Sequence, residues 1–243
     1  MNMELNMLVL EDIHYVGKAN HICSIQERKS KQALDLIRKV FQSVGRHKID
    51  AVILLGDLVD NGKAPRAEED MVSLQMEISK LGKPVIVVPG NHDNYPKTVF
   101  NIFNDFEGLH NVNGYQIVNF ADRYCEDDSS ERDMPSMEKV FLDINPNQPV
   151  IALQHNPIFP PIESSYPYNL KNAENIMEYY SKKNVVLSIS GHFHRGITAE
   201  IKNNVCYFTC PALCEEPFSY ALINLKGSKS KIEVRNLEKG ESS

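Results

Sequence analysis

Five short polar segments of the sequence each follow a run of apolar residues, and their side chains are of types that bind metal ions. Together they hold five of the eight histidines of the chain, along with carboxylates and amides. Imidazole nitrogen and carboxylate oxygen are ligands that suit Zn, Fe and Mn. The five segments are residues 11–14, 56–60, 90–93, 154–157 and 191–194.

The number of candidate ligands favours two metal ions over one. Seven protein ligands are too many for a single ion, whereas two ions that share a bridging carboxylate use them well. Such a pair, about 3.5–4 Å apart, can hold a hydroxide and bind the oxygens of a phosphoryl group. Taken singly, the segments have ordinary interpretations: Asp57 and Asp60 could cap a helix, and residues 91–93 could form a turn. Their joint occurrence after five apolar runs makes a purely structural role the weaker interpretation.

The elements that must position these segments alternate between buried strands and amphipathic helices. This alternation predicts an α/β sandwich with a partly parallel sheet. Open α/β sheets place ligand sites just beyond the carboxyl ends of their strands, where the polar segments fall. The pattern predicts strands at 5–10, 50–55, 84–88, 149–153 and 185–189, one or two strands within 114–124, helices at 24–44, 68–81, 137–142 and 172–181, and strands from residue 198 onward.

The composition is that of a globular protein with a modest negative charge. The 243 residues include 26 Lys and Arg against 32 Asp and Glu, a formal charge of −6. This balance argues against binding of bulk nucleic acid, which needs a basic face. No apolar run approaches the ~20 residues that span a bilayer. No Lys or Arg precedes the first apolar run, as one would in a signal peptide, so we expect a cytoplasmic location without membrane association.

No linker or repeat interrupts the sequence, which predicts a single domain over residues 1–243. The chain contains five cysteines, an odd number, and it is long enough to fold without disulfides. We therefore expect reduced structural thiols. Cys206, Cys210 and Cys214 lie close together in the sequence, but their spacing is not that of a zinc knuckle. The sequence does not indicate an oligomeric state.

The five segments resemble the motifs of the calcineurin-like metallophosphoesterases. The pattern of that family is D-x-H, G-D-x-x-D, G-N-H-D/E, H and G-H-x-H, and all five parts occur here in that order. The resemblance implies a four-layer α/β/β/α sandwich with two mixed sheets and a dinuclear centre of divalent or trivalent ions, Mn, Fe or Zn. It also implies the ligands, which are Asp12, His14 and His194 for the first ion, Asn91, His155 and His192 for the second, and Asp57 as the bridge.

The same resemblance assigns roles beside the metals. His92 is expected to face the substrate, stabilise the phosphoryl group and protonate the leaving oxygen, with Asp93 orienting its ring. Asp60 is expected to support its loop from outside the ligand set. Many relatives carry Ser or Ala where this chain has Glu11, which we expect to support the ligands or to turn away from them. Arg195 could contact a phosphate or be a solvated surface arginine.

The resemblance implies a hydrolase that acts on small phosphoester or nucleotide substrates through a metal-bound hydroxide. Residues 210–218 are similar to a segment of the cyclic-nucleotide phosphodiesterase and nucleotide-diphosphatase branches, which favours phosphodiesters or nucleotide pyrophosphates. The alternatives are a phosphomonoesterase or protein phosphatase on the same site, and a non-catalytic metal-binding scaffold. Residues 15–30 could fold over the site or form an ordinary loop leading into a helix.

Overall fold

The fold is built from β-sheets and the helices that cover them. The computed structural model describes residues 3–237, apart from residues 20, 24 and 46. The described helices are α1 (Ala33–Val44), α2 (Ala67–Ser79), α3 (Pro96–Phe103), α4 (Met134–Leu142) and α5 (Ala173–Ser181), with a 3₁₀ turn at Ser30–Gln32 before α1. The strands are β1 (Glu4–Leu10), β2 (Ala51–Leu54), β3 (Val85–Val87), β4 (Gly108–Val112), β5 (Tyr115–Asn119), β6 (Arg123–Tyr124), β7 (Ser130–Glu131), β8 (Val150–Leu153), β9 (Val185–Ser190), β10 (Ile197–Lys202), β11 (Val205–Thr209), β12 (Ser219–Lys226) and β13 (Lys229–Asn236).

Two large sheets form the centre of the fold. The first sheet has the strand order β13-β12-β1-β2-β3, and the second has the order β10-β11-β9-β8-β5-β4. In the first sheet β1, β2 and β3 run parallel, while β12 is antiparallel to both of its neighbours. In the second sheet β11, β9, β8 and β5 run parallel, and the edge strands β10 and β4 are antiparallel to theirs. Both sheets are therefore mixed, as the resemblance implied.

The strands of the first sheet are apolar on both faces because both faces are covered. Along β1, Leu8 and Leu10 pack with the apolar residues of α1, α2 and α3. Met7 and Val9 point the other way, into a cluster shared with the second sheet. Successive side chains of a strand alternate between faces, so a strand covered on both sides is apolar at every position. This explains the continuous apolar runs in the sequence.

The second sheet is covered in the same way. One face carries Ile117 and Ile151 into the cluster between the sheets. The other face packs against α4 and α5, with Met137 and Tyr180 buried beneath it. Helices, sheet, sheet and helices form four layers, which confirms the predicted α/β/β/α sandwich.

The parallel strands deliver the polar segments to one edge of the sandwich. The segments follow the carboxyl ends of β1, β2 and β3 in the first sheet and of β8 and β9 in the second. The two sheets meet at this edge: His155 Nδ1, after β8 of the second sheet, donates to the carbonyl of Leu55, after β2 of the first. Side chains from both sheets can therefore reach a common site.

The helix predicted over residues 24–44 begins later, at Ala33. Residue 24 lies outside the described residues, and residues 25–29 form a turn and extended chain. Arg28 in this stretch makes an ion pair with Asp60, at 3.1 Å, which draws the chain toward the polar edge instead of into a helix.

Three elements near the middle of the chain were not predicted: α3, β4 and the two-residue strand β7, which pairs with β6. Helix α3 begins at Pro96, whose fixed φ suits the first helical turn, and it buries an apolar face of Val99, Phe100 and Phe103. Strand β4 pairs with β5 at an exposed sheet edge, where polar residues are tolerated and no apolar run marks the strand. Among the described residues, no helix is both long and apolar enough to cross a membrane.

Candidate functional site

Two aspartates and three histidines face one another at the edge where both sheets meet. His14 Nε2 lies 3.5 Å from Asp12 Oδ1 and 3.5 Å from Asp57 Oδ2. The same oxygen of Asp57 lies 3.4 Å from His155 Nε2. His194 Nε2 lies 3.5 Å from the other oxygen of Asp12. One carboxylate oxygen of Asp57 is thus placed between a histidine that follows the first sheet and a histidine that follows the second.

Several atoms of this cluster that could ligate a metal ion are buried and have no hydrogen-bond partner among the described residues. Burying a polar atom without a partner is costly, so such atoms are rare unless a ligand or ion satisfies them. Carboxylate, amide and imidazole donors are the set that suits Mn, Fe and Zn. The atoms are both carboxylate oxygens of Asp12, Asn91 Oδ1, and the Nε2 atoms of His14, His155 and His192.

Of the five groups of three side chains among the described residues that could hold a metal ion, two share Asp57. Asp12, His14 and Asp57 form one compact group, and Asp57, His155 and His192 form another, with the ligand atoms of each group within 4.8 Å of one another. The residues present therefore fit two cations, with the carboxylate of Asp57 common to both. The resemblance also implied a shared Asp57, and the dinuclear centre itself stays a prediction.

The second nitrogen of three of the imidazoles, those of His14, His155 and His194, contacts the protein. His155 Nδ1 donates to the carbonyl of Leu55, at 2.6 Å, and His194 Nδ1 donates to the carboxylate of Glu215, at 2.6 Å. These bonds fix the ring orientation and leave the Nε2 lone pairs free for a metal. Asp60 lies 3.3 Å from His14 Nδ1, the supporting position expected for it. The sequence analysis missed Glu215, although it belongs to the segment 210–218 that drew attention for another reason.

The carboxylates of the cluster favour the protonated, positively charged forms of the histidines beside them. Burial alone would lower the pKa of His14, but the neighbouring carboxylates of Asp12, Asp60 and Asp57 raise it to about 9. His155 behaves in the same way, because Asp57 outweighs burial and raises its pKa to about 9. Burial works against ionisation of Asp57, yet the surrounding histidines hold its pKa well below its usual range. Without metal, the protonated rings of His14 and His155 compensate the ionised carboxylates, and metal ions would replace those protons.

The site is built on strained backbone. Asp12, His14, Asp57 and His192 all have positive φ angles, of 44°, 47°, 47° and 66°. Residues other than glycine rarely adopt this left-handed region, which costs of order 1–3 kcal/mol each, and such strain concentrates at functional sites. The strand ends are bent so that side chains from different loops point toward one centre.

Two glycines of the motifs leave room for the ligands. A Cβ atom on Gly90 would collide with the carboxylate and backbone nitrogen of Asp57. A Cβ atom on Gly191 would collide with the carboxylate of Glu11, which accepts a hydrogen bond from the His192 N–H. Glu11 thus ties the end of β1 to the end of β9. It supports the ligand loop, which is one of the two positions expected for it.

His92 lies beside the ligand groups, held by its backbone and by one ring nitrogen. Its N–H donates to Asp57 Oδ1, at 2.8 Å. Its Nδ1 donates to the carbonyl of Asp60, at 2.6 Å, and its ring packs edge-on against that of His14 with centroids 4.7 Å apart. The ring also lines the cleft above the site. His92 therefore faces the space that a substrate would enter.

The predicted role of Asp93 in orienting His92 is wrong, because Asp93 binds backbone instead. One carboxylate oxygen accepts from the N–H groups of Leu58 and Val59, at 2.8 and 3.1 Å, and the other accepts from Gly90, at 2.9 Å. Asp93 joins the loop after β2 to the loop after β3. It fixes the relative position of two ligand loops and does not touch the imidazole that it was expected to orient.

A cleft of about 1080 Å³ opens above the cluster. The chain between β1 and α1 forms one wall, with Ile22 and Arg28, so the segment expected either to fold over the site or to be an ordinary loop borders it. The loop after β8 forms another wall, with Tyr166 and Tyr168, which the sequence analysis did not single out. Arg195 lines the cleft and is exposed, in a position to meet an anionic group.

The five cysteines are free thiols, in agreement with the sequence analysis. Cys214 is buried close to His14 and His194, where it forms part of the packing beneath the site. Burial and the nearby Asp12 raise the pKa of its thiol well above the usual range, which disfavours the thiolate.

The bracing role of Asp93 predicts a loss of stability when its carboxylate is removed. In metal-free protein, Asp93→Ala should lower the free energy of unfolding by about 2–4 kcal/mol, because three buried N–H groups lose their acceptor. Urea denaturation measures the change. The exposed Asp35→Ala provides the control and should have little effect. An unchanged unfolding midpoint for Asp93→Ala would show that the three hydrogen bonds do not stabilise the two loops.

Comparison with known proteins agrees with the fold and the motifs. A family model described as calcineurin-like phosphoesterase matches residues 6–196. A curated protein of Fibrobacter succinogenes named probable cyclic nucleotide phosphodiesterase is 26% identical over 179 residues, which cover 70% of this chain and 67% of that protein. A protein of Arcobacter nitrofigilis named probable glycerophosphodiester phosphodiesterase is 26% identical over 176 residues, 67% of this chain and 62% of the relative.

Solved structures share the fold at low sequence identity. A dimetal phosphatase from Danio rerio superposes with a TM-score of 0.66 at 13% identity, covering 96% of this chain and 99% of the other. A purple acid phosphatase from yellow lupin superposes with a TM-score of 0.67 at 14% identity, covering 99% of this chain and 53% of the other. With the family model spanning most of the sequence, the chain belongs to the calcineurin-like phosphoesterases, a family of hydrolases.

Proposed function

We propose that this metallophosphoesterase uses two metal ions to hydrolyse small phosphodiesters. The observation that carries the proposal is the pair of buried donor groups that share Asp57 beneath an open cleft. The names of the two curated relatives, both phosphodiesterases, support the same substrate class.

The chain offers a complete set of protein ligands for two ions. Of the ligands assigned from the family motifs, one group would hold the first ion, a second group the other, and Asp57 would bridge them. When bound, ions such as Mn, Fe or Zn supply positive charge that binds phosphoryl oxygens and lowers the pKa of a water. The two groups are Asp12, His14 and His194, and Asn91, His155 and His192.

His92 is the group we assign to the leaving oxygen. In the reaction the oxygen of water forms a bond to phosphorus, the bond from phosphorus to the ester oxygen breaks, and that oxygen takes up a proton. Because Nδ1 keeps its proton on the carbonyl of Asp60, Nε2 can donate only when the ring is doubly protonated. The imidazolium form would also place positive charge beside the phosphoryl group. One residue would then both stabilise the phosphoryl group and protonate the leaving oxygen.

The shape of the cleft favours a diester over a monoester. The lining of the cleft includes residues beside each group: Arg28, 3.3 Å from His14 of the first, and Tyr166 and Tyr168, whose rings lie beside His192 of the second. A diester carries a substituent on each side of its phosphorus and can place one beside each group. A monoesterase or protein phosphatase on the same site is the second candidate, which the next experiment separates.

The preferred ester class can be measured directly. The chain should be prepared without metal, reloaded with Mn, Fe or Zn, and assayed on bis-p-nitrophenyl phosphate and p-nitrophenyl phosphate. We expect kcat/KM to be higher for the diester, since the monoester leaves one side of the cleft empty and brings an extra negative charge. A clear preference for the monoester with every metal would contradict the proposal.

The bridging role of Asp57 predicts that metal binding and activity are lost together. Asp57→Ala should bind fewer than two ions per chain, because both donor groups lose their common oxygen. Metal content after dialysis, measured by mass spectrometry, gives the result, and circular dichroism checks the fold. Asp57→Asn, which keeps an acceptor for the His92 N–H, provides a milder variant. Two ions retained in both variants would remove the bridging assignment.

The proton-donor role of His92 predicts a dependence on the leaving group. His92→Ala should keep both metals and lose about 10²–10⁴-fold in rate on esters with poor leaving groups, the usual contribution of a general acid. The loss should shrink for p-nitrophenyl esters, which leave without a proton. Equal losses on both kinds of ester, at unchanged metal content, would mean that His92 binds the phosphoryl group and does not donate a proton.

A further inference from the structure

One wall of the cleft is aromatic and lies directly against a predicted metal ligand. The ring centroids of Tyr166 and Tyr168 are 5.6 and 5.5 Å from that of His192, and the two tyrosine rings are 4.9 Å apart. Phe193 packs edge-on behind Tyr168, with centroids 5.0 Å apart. We call Tyr166, Tyr168 and Phe193 the aromatic wall. All three line the cleft and are only partly buried.

The loop that carries the tyrosines is held in place without any ligand. The side chain of Asn169 accepts from the Ile162 N–H, at 2.7 Å, and donates to the carbonyls of Pro157 and Pro160, at 3.3 and 3.2 Å. These bonds close residues 157–169 on themselves. The loop therefore needs little ordering when a ligand binds, so contacts to it are not offset by a loss of chain entropy.

A second set of hydrogen bonds fixes the position of Tyr168. Asn156, next to the predicted ligand His155, donates to the carbonyl of Tyr168, at 2.9 Å. The hydroxyl of Tyr124 in turn donates to Asn156 Oδ1, at 2.7 Å. The aromatic wall is thus held at a fixed distance from the phosphoryl site.

The rim beside the aromatic wall is acidic. Glu163 and Asp128 line the same part of the cleft, and the charge of Asp128 contributes, after burial, to raising the pKa of Tyr166 to about 12. Carboxylates at this end repel an anionic substituent and accept hydrogen bonds from amino groups. The chemistry of this end suits a flat, uncharged group that carries N–H donors.

We infer that the aromatic wall binds the base of a nucleoside phosphate, with the base stacked on Tyr166 and an exocyclic amino group toward the acidic rim. This inference rests on the proposed function, since it places the phosphoryl group over the two donor groups. It makes the site selective for nucleoside phosphoesters over esters of glycerol or other small alcohols, which have no ring to stack. It also places the base, and not a second phosphate, at the end near His192.

The size of the effect follows from base stacking on aromatic side chains. Such stacking typically contributes a factor of roughly 5- to 100-fold in affinity per base. The metal-loaded protein should therefore bind adenosine 5′-monophosphate more tightly than ribose 5-phosphate by roughly this factor. The two ligands share the ribose phosphate, and ribose 5-phosphate carries an anomeric hydroxyl in place of the base.

Calorimetric binding of both ligands to wild type and three variants tests the inference. Tyr166→Leu should remove most of the preference for the nucleotide and leave ribose 5-phosphate binding unchanged, whereas Tyr166→Phe should keep the preference because it keeps the ring. Tyr95→Leu, at an exposed tyrosine outside the aromatic wall, should behave as wild type. Equal affinity of wild type for both ligands, failure to bind either, or an unchanged preference in Tyr166→Leu would overturn the inference.

The binding experiment separates the inference from the proposed function. Preference for the nucleotide that depends on Tyr166, without hydrolysis of any diester under any metal, would overturn the proposed function and keep the aromatic wall. Hydrolysis of bis-p-nitrophenyl phosphate without a preference for adenosine 5′-monophosphate over ribose 5-phosphate would do the reverse.

Discussion

The carboxylate of Asp57 is the point on which the rest of the site depends. Its Oδ2 atom lies 3.5 Å from His14, which follows a strand of the first sheet, and 3.4 Å from His155, which follows a strand of the second. Burying an ionised carboxylate among polar atoms that have no hydrogen-bond partner is costly, unless cations compensate the negative charge. The two donor groups that share Asp57 come from both sheets, so metal binding would join the two halves of the sandwich. Binding of ions to this cluster would therefore stabilise the fold as well as supply the chemistry.

The backbone at this edge is strained, and the layered core offsets the cost. Four of the predicted ligands occupy the left-handed region of φ, and two neighbouring glycines leave no room for a Cβ atom. Each strained residue costs of order 1–3 kcal/mol, a large fraction of the net stability of a domain. The strands that hold the loops are buried on both faces by apolar clusters, which anchors the loop ends and keeps the bent segments in place.

The layered architecture could be predicted because it determines the pattern of apolar residues in the sequence, and the same pattern locates the segments that carry the predicted ligands. Strands covered on both faces are continuous apolar runs, and each ligand segment follows such a run. The role of Asp93 could not be predicted, since its partners Leu58 and Val59 are backbone groups 35 and 34 residues away. The hydrogen bond from His92 to the carbonyl of Asp60 could not be predicted either, because every residue carries a main-chain oxygen and the sequence does not distinguish one from another. Helix α3 was missed although Pro96 at its start and the spacing of Val99, Phe100 and Phe103 mark it in the sequence.

The two walls of the cleft are attached to the site in different ways. On one side, Arg28 contacts the same carboxylate oxygen of Asp60 that lies against His14, so a change at Arg28 reaches a predicted metal ligand. On the other side, the loop that carries Tyr166 is closed through Asn169 on its own backbone. Substitutions at the tip of that loop can alter which group stacks there without moving the ligand atoms of the cluster. If the two proposals hold, this separation would let one metal centre serve different phosphoesters, because selectivity would reside in side chains that do not hold the ions.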